Sequence, residues 1–380
     1  MSGNFSIHRF MAIIRKEFLQ LRRDPASFGI GLAMPLLLLL LFGYAINTDV
    51  DHIPTGVWDQ SKSKQSREMI AKFQVSHYFD IKYDVASMEE LEELMDAGDI
   101  RAALVFPPDY AYQIEQNSPV DIQILLDGSD PTAARTALSS AQMITQNQAL
   151  NLQESFLKKQ GFDEVKLPIQ AQSRVMYNPD MDSTVFNIPG LIGLILQNVT
   201  ALLTAFAMVR EKERGTMEQL VVTSVRPVEL ILGKLVPYVL IGLFSFLLVL
   251  MTAIFWFGVP VKGSVTLLIA LGLLFLVTTL AIGMLISTIA KTQLQAMQVA
   301  FAIILPSVLL SGFIFPRETM PLVIQWIGGI IPLTYFLMIL RGIFLKGVSL
   351  AYLWQETLTL TGFAFLICTV AVMRFRKKLE

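Results

Sequence analysis

Few residues in this chain have the type and spacing that catalysis requires. Histidine occurs only at His8, His52 and His77, and the single cysteine, Cys368, lies in an apolar run. Neither a metal site built on His and Cys nor a disulfide framework is expected from that distribution. No Gly-x-x-x-x-Gly-Lys-Ser/Thr loop is present, so the chain has no such cradle for ATP phosphates. The long apolar runs hold no His, Asp or Glu to activate a serine, which leaves an intramembrane hydrolase with little support. What does concentrate reactive polar groups is "REKERGTMEQLVVTSVRPVELILGK", residues 210–234, with five Lys/Arg and four Glu between two uncharged runs. Such groups make charge-assisted hydrogen bonds, so the chemistry expected is recognition.

That stretch can be read residue by residue. "REKER" carries the preceding helix into water with charges of alternating sign, and Gly215 breaks it. Thr216 with Gln219 forms a capping box, so a new short helix starts there. Met217, Leu220 and Val221 give it a small apolar face at helical spacing. "TSVRP" ends it, and Pro227 with Glu229 opens the next helix. The product, over 210–229, is a short amphipathic helix between two crossings, with an apolar face too small to anchor in lipid. It suits a groove on a cytoplasmic partner. The competing reading is an ordinary charged turn on the positively charged side of a membrane.

The elements around it are those of a membrane protein. Of the 380 residues 53% are hydrophobic and 16% charged, with a mean hydropathy of +0.55, against about 25% charged in soluble domains. Uncharged runs at 26–48, 183–209, 235–261, 263–290, 292–316 and 357–373 are long enough to cross a bilayer or nearly so. A seventh run, 319–340, is broken by Pro321, Gly328, Gly329 and Pro332. Freed backbone must be buried in protein or line a cavity, so 315–345 is expected as a re-entrant pair of short helices on the outer side. Lys and Arg collect before the first run, in the 210–234 stretch and after the last run, which places all three in the cytoplasm. Both termini inside requires an even number of crossings, hence six. The first run, "MPLLLLLLFGYA" at its centre, follows some 25 residues with a pattern of their own and reads as an uncleaved span.

That pattern, over 1–25, is an amphipathic interface helix. Ile7, Phe10, Met11, Ile14, Phe18 and Leu21 share one face, expected in the acyl boundary. Arg9, Lys16 and Arg23 recur every seven residues opposite, expected to face anionic headgroups. Asp24-Pro25 ends it.

Residues 49–182 form the large insert between the first two spans. Residues 47–182 carry 22 acidic and 11 basic side chains, the reverse of the cytoplasmic bias. "IPTGVWD", "YFDIKYD", "IRAALVF" and "VDIQILLD" read as strands, alternating with helical "SREMIAKF", "SMEELEELMDAG" and "PDYAYQI". This alternation predicts a small extracytoplasmic α/β domain. A long helix follows, with Asp130 as N-cap, Pro131 first and Gly161 at its stop. Ser87 with Glu90 reads as a capping box and Gly98 as the stop of that helix. The carboxylates show no catalytic pairing and read as a solvated face.

Within the spans there is no ionisable relay of the kind an ion-coupled pump needs, which favours an amphipathic or hydrophobic cargo. Asn187, Gln197, Thr200, Thr204, Gln298 and Ser311 are candidates for a substrate pathway, with hydrogen bonding between helices as the plainer use. Phe313, Phe315, Trp326 and Tyr335 are candidates for an aromatic outer gate.

"EKERGTMEQLVVTSVRPVELILGK" resembles the signature of the permease subunits of type-2 ABC exporters, in particular the drug- and antibiotic-efflux branch. The N-terminal helix, the outer domain with "LDGSDPTAA", the broken "SGFIFPRETMPLVIQWIGGIIPLTYFLMILRGIFLKG" and the short basic tail, 375–380, are similar to that architecture across the whole chain. The resemblance implies a polytopic α-helical protein of six transmembrane helices, spans two to six lying in 183–374, in the bacterial inner membrane. It implies no enzyme activity or cofactor in this chain, with ATP and Mg bound by separate cytoplasmic ATPase subunits, and a second permease, identical or similar. Glu211, Lys212, Glu213, Arg214, Gly215, Thr216, Met217, Glu218, Gln219 and Leu220 would then form the coupling helix on the ATPase. Arg15, Lys16, Arg22 and Arg23 would assist from the N-terminal helix. The alternative is a membrane scaffold that moves nothing and whose outer domain binds a partner. Nucleic acid is not an expected partner.

Overall fold

The structure is a computed structural model and describes residues 6–46, 51–160, 176–179, 182–215 and 227–377. It divides into two compact units, Met1–Asn47 with Val175–Glu380, and Thr48–Arg174. The chain opens with α1 (Ile7–Arg22) and α2 (Pro25–Ala45). Asp24 and Pro25 separate them, because proline removes the donor that would continue α1 and is tolerated at the start of α2.

The smaller unit contains β1 (Ile53–Asp59), α3 (Lys64–Val75), β2 (Phe79–Asp84), α4 (Met88–Ala97), β3 (Ala102–Phe106), α5 (Tyr110–Glu115), β4 (Gln123–Leu126) and α6 (Pro131–Lys159). The strand order is β2-β1-β3-β4, with β1 parallel to both neighbours and β4 antiparallel to β3. All five residues of β3 are buried, as an uninterrupted apolar strand between two helical layers requires. One face packs Phe73, Phe79, Leu104, Phe106, Ala137 and Ala141 into a core; the other packs Leu91, Ile100, Ala103 and Val105. Asp130 caps α6 by accepting from the N–H groups of Thr132 and Ala133. At α4 the expected reciprocal box is shifted: Ser87 Oγ accepts from Glu90 N–H, but the Glu90 carboxylate accepts from Ala86 N–H.

The larger unit continues with α7 (Ser183–Glu213), α8 (Pro227–Phe255), α9 (Val265–Ile289), α10 (Gln293–Leu310), α11 (Leu322–Gly328), α12 (Pro332–Arg341) and α13 (Trp354–Lys377). Five helical stretches, Ser183–Glu213, Leu232–Phe255, Val265–Ile289, Gln293–Leu310 and Trp354–Arg374, are long and apolar enough to cross a membrane. The apolar α2 adds 21 residues. Leu322–Gly328 and Pro332–Lys346 are bent by 89° at the break between them, where Gly329 and Pro332 lie. Thr334 Oγ1 and Tyr335 Oη donate to the carbonyls of Gly328 and Gly329, which satisfies backbone that lipid could not.

Helix α7 is the centre of this unit and is buried along most of its length. It lies closest to α9, where a Cβ on Gly283 would stand 2.4 Å from the carbonyl oxygen of Ala201. Only glycine permits that approach. Thr200 and Thr279 share a 2.7 Å hydrogen bond across the same pair. Ile13 of α1, Met208 of α7, Met284 of α9 and Ala371 of α13 form one cluster at an end of the bundle.

Candidate functional site

That end is where the charged residues gather, and the last turn of α7 is their hub. Four consecutive side chains there bond to five different places. Arg210 pairs with Asp24, ahead of α2. Glu211 accepts from Lys16 of α1 at 2.8 Å and pairs with Lys234 of α8. Lys212 donates to the carbonyl of Ser287, near the end of α9. Glu213 accepts from both the backbone N–H and the side-chain amide of Gln293, at 2.7 and 2.6 Å, at the start of α10. A carboxylate suits that last position, because the first N–H groups of a helix lack internal partners and carry partial positive charge. The starts of α2, α8 and α10 thus meet the ends of α7 and α9, with the last turns of α13 alongside, as helices alternating in direction require.

At the middle of the hub, Glu17, Glu211 and Lys234 are all under 5% exposed. Lys16 lies 3.1 Å from Glu17, and Lys234 lies 3.8 Å from it. Two cations and two anions therefore balance in one group, three of them buried and Lys16 at its exposed edge. Burial alone would lower the Lys16 ammonium, but its hydrogen bond to Glu211 and the charges of Glu17 and Glu211 outweigh that, so its pKa lies above the ordinary 10.5. A second ion pair joins Arg9, through Nε and Nη2 at 3.1 and 3.0 Å, to the wholly buried Glu229 at the start of α8. Glu229 also accepts from the Ser6 N–H at 2.7 Å.

These pairs give α1 a protein-facing side that its sequence pattern did not assign. Arg9 and Lys16 bond to the buried carboxylates of Glu229 and Glu211, although the Lys16 side chain stays 46% exposed. Ile13, Glu17 and Leu21 are the buried stripe, whereas Ile7, Met11 and Phe18 stay exposed. Arg15, Arg22 and Arg23 are exposed too.

Of the residues expected to contact an ATPase, the structure places Glu211, Lys212 and Glu213 in the hub and Arg214 and Gly215 just beyond. Gly215 takes a left-handed φ of +67° and donates its N–H to the Lys212 carbonyl, which stops α7 as glycine commonly does. Thr216, Met217, Glu218, Gln219 and Leu220, with the short helix read there, lie outside the described residues, as do the last three residues of the tail.

The pathway candidates are dispersed in role. Asn187 donates to the Ile46 carbonyl after α2, and Thr204 donates to Thr200 O within α7. Gln197 and Ser311 are buried, and Gln197 Oε1 and Ser311 Oγ have no hydrogen-bond partner among the described residues. Gln298 is exposed. The gate aromatics differ as well: Phe313 is buried, Tyr335 half-buried, Phe315 and Trp326 exposed. Among the described residues no group of three His, Cys, Asp or Glu is placed to hold a metal.

Sequence reasoning missed Glu17, Asp24, Lys234, Gln293 and Arg341 as members of any site. Glu17 had a signal: it stands midway between Ile13 and Leu21, four residues from each, so it shares their face. Arg341 closes α12, donating to the carbonyls of Gly312 and Phe313 at 2.8 and 3.2 Å, with its guanidinium 3.9 Å from the centre of the Phe186 ring. It stands just past an uncharged run, where length alone gives no reason to bury it.

A bundle of apolar helices, a broken helix pair and a charged hub on the last turn of the central helix define a polytopic membrane permease. The chain matches the ABC-2 family transporter protein family over residues 26–373 and belongs to it. It is 37% identical to the protein named "Probable multidrug ABC transporter permease YbhS" of Escherichia coli K12, over 99% of this chain and 98% of that one. It is 28% identical to "Probable multidrug ABC transporter permease YbhR" of the same strain, over 98% and 99%. ABC transporter G family member 20 of Dictyostelium discoideum is 23% identical over 97% of this chain and 50% of its own length. The chain is a multi-pass membrane protein and a permease of the ABC transporter class.

Proposed function

We propose that this permease exports amphipathic or hydrophobic cargo, a drug, antibiotic or lipid-like molecule, powered by separate ABC ATPase subunits. In this reading the charged end of the bundle faces the cytoplasm, and residues 216–226, leaving from α7 and returning into α8, seat on the ATPase. ATP and Mg are bound there, and this chain carries no catalytic residue. Two permeases, identical or similar, assemble with the ATPases in the bacterial inner membrane. Both termini are cytoplasmic, the helices α2, α7, α8, α9, α10 and α13 cross, and the α11–α12 pair re-enters from the outer side. The α/β unit, which joins the far ends of α2 and α7, lies outside the membrane on that face.

One observation carries the coupling role: Arg210, Glu211, Lys212 and Glu213 bond to Asp24, α1, α8, α9 and α10. A push on the connector that follows reaches all of them at once through charge-assisted bonds. The unpartnered Gln197 Oε1 and Ser311 Oγ favour these two over Thr200 and Thr204 as cargo contacts. The test is to purify the intact permease and measure copurification of a soluble ABC ATPase and stimulation of its ATP turnover. Stimulated turnover is expected; normal insertion with no captured or stimulated ATPase overturns the reading and leaves a scaffold.

A further inference from the structure

The hub is bordered by a pocket for which the coupling reading names no ligand, although Lys16, Arg23 and Arg214 in its wall were expected near the ATPase. A cavity of about 590 Å³ opens between the last turns of α1 and α7, with Lys16, Arg23, Arg210 and Arg214 in its wall and Asp24 as the one carboxylate. That volume is within the usual range for small-ligand sites. Lys16 is committed to Glu17 and Glu211, and Arg210 to Asp24. Arg23 and Arg214 have no ion-pair partner among the described residues, and both side chains are exposed. Two exposed guanidinium groups, neither in an ion pair among the described residues, therefore line one cavity. Guanidinium is the side chain best matched to phosphate oxygens, through paired N–H donors.

A separate cleft shares part of this wall. Gln20, Asp24 and Arg210 also line a narrower cleft whose remaining wall is Leu21, Leu203, Phe206, Ala207 and Tyr238. A ligand here meets cations at one end and apolar side chains at the other. The outer face of α1 points the same way: Ile7, Met11 and Phe18 are large, apolar and exposed, which places α1 in the acyl boundary of a membrane. A soluble acidic protein would match the cations but not the apolar wall.

We propose that this pocket binds the phosphate of an anionic phospholipid, held by Arg23 and Arg214, with its glycerol and first methylenes against the apolar cleft. The site rests on reading this end of the bundle as the cytoplasmic membrane surface, where anionic lipid supplies such phosphates. Occupancy would bridge α1 to the end of α7 beside the hub, so bilayer composition would tune the stiffness of the coupling element.

The test uses the full-length permease alone, without an ATPase, so its outcome is separate from that of the coupling experiment. The protein is reconstituted in vesicles of phosphatidylcholine mixed with phosphatidylglycerol, re-extracted, and its retained lipid counted by native mass spectrometry. Phosphatidylglycerol should be retained in preference to phosphatidylcholine. Arg23→Gln and Arg214→Gln should each weaken retention roughly tenfold, the loss of one charge-assisted bond, while Arg23→Lys and Arg214→Lys lose less. Both positions are exposed and make no ion pair among the described residues, so the variants should fold, with unchanged thermal unfolding in phosphatidylcholine alone as the check. Equal retention of the two lipids, or retention unaffected by the Gln variants, overturns the proposal. Inorganic phosphate that binds the variants and wild type as the lipid does, and displaces it, marks a site for the free anion only and also overturns it.

Discussion

Lys234 and Glu211 stand 23 positions apart on two different helices and pair where each side chain is no more than 5% exposed. Neither charge has solvent to fall back on. Removing Lys234 is costly because two buried carboxylates, Glu17 and Glu211, are then left with the half-exposed Lys16 alone; a buried charge left with no partner costs about 3–5 kcal/mol. Lys234→Met is therefore expected to lower the thermal unfolding temperature of the detergent-solubilised permease sharply. Lys234→Met with Glu211→Met removes both charges and should recover much of the loss. Equal melting of wild type and Lys234→Met would show that the pair holds nothing.

Glu213 is different, being exposed and bonded only to the first residue of α10 among the partners described. Glu213→Ala should lower stability slightly, as loss of an exposed helix cap does. The larger effect should fall on ATPase stimulation, since α10 is no longer tied to the connector. Gly215→Val should do likewise, because a β-branched residue is a genuine outlier at positive φ. Unaltered stimulation in both variants, with normal membrane insertion, would remove this end of α7 from coupling.

Arg341 closes the broken helix pair by reaching two carbonyls and a ring at once. Lysine has the charge but not the planar fork. Arg341→Lys is expected to keep insertion and loosen the α11–α12 segment, read as faster cysteine labelling at introduced Val323 and Ile330 positions. Labelling as slow as in the parent would mean that the carbonyl contacts are incidental.

The α1 attachment should have a specific pH range. Lys16 has a pKa raised on folding, so the stabilisation it brings is complete below the unfolded value of about 10.4 and is lost as pH climbs through the folded value. The difference in unfolding temperature between wild type and Lys16→Met should hold constant near neutrality and shrink in strongly alkaline solution. A difference that instead vanishes on mild acidification would assign the attachment to the carboxylates alone.

Much of the architecture was legible in the residue order, for local reasons. The strands of the α/β unit lie within a few residues of the apolar segments that announce them, and Asp130 and Gly98 act where their side-chain chemistry requires. The hub was not legible. Lys16 and Glu211 are 195 positions apart, and no periodicity links two such residues. The protein-facing side of α1 was hidden for a related reason. In a membrane both lipid and protein interior are apolar, so a hydrophobic stripe cannot say which of the two it meets. The deciding residue was acidic Glu17, whose burial makes sense only once Lys234 is beside it. The bent helix pair was legible through its prolines and glycines, but Arg341, which ties it to the end of α10, was hidden by its position at the edge of an uncharged run.

The missing side chain of Gly283 has a mechanical meaning beyond fit. With main chain resting on main chain at Gly283, α7 and α9 have no side chain to repack at that crossing and are pinned there against sliding. They should tilt as a single plank. Spin labels placed on the two helices should report a fixed separation through the whole transport cycle, while distances from either helix to α13 change.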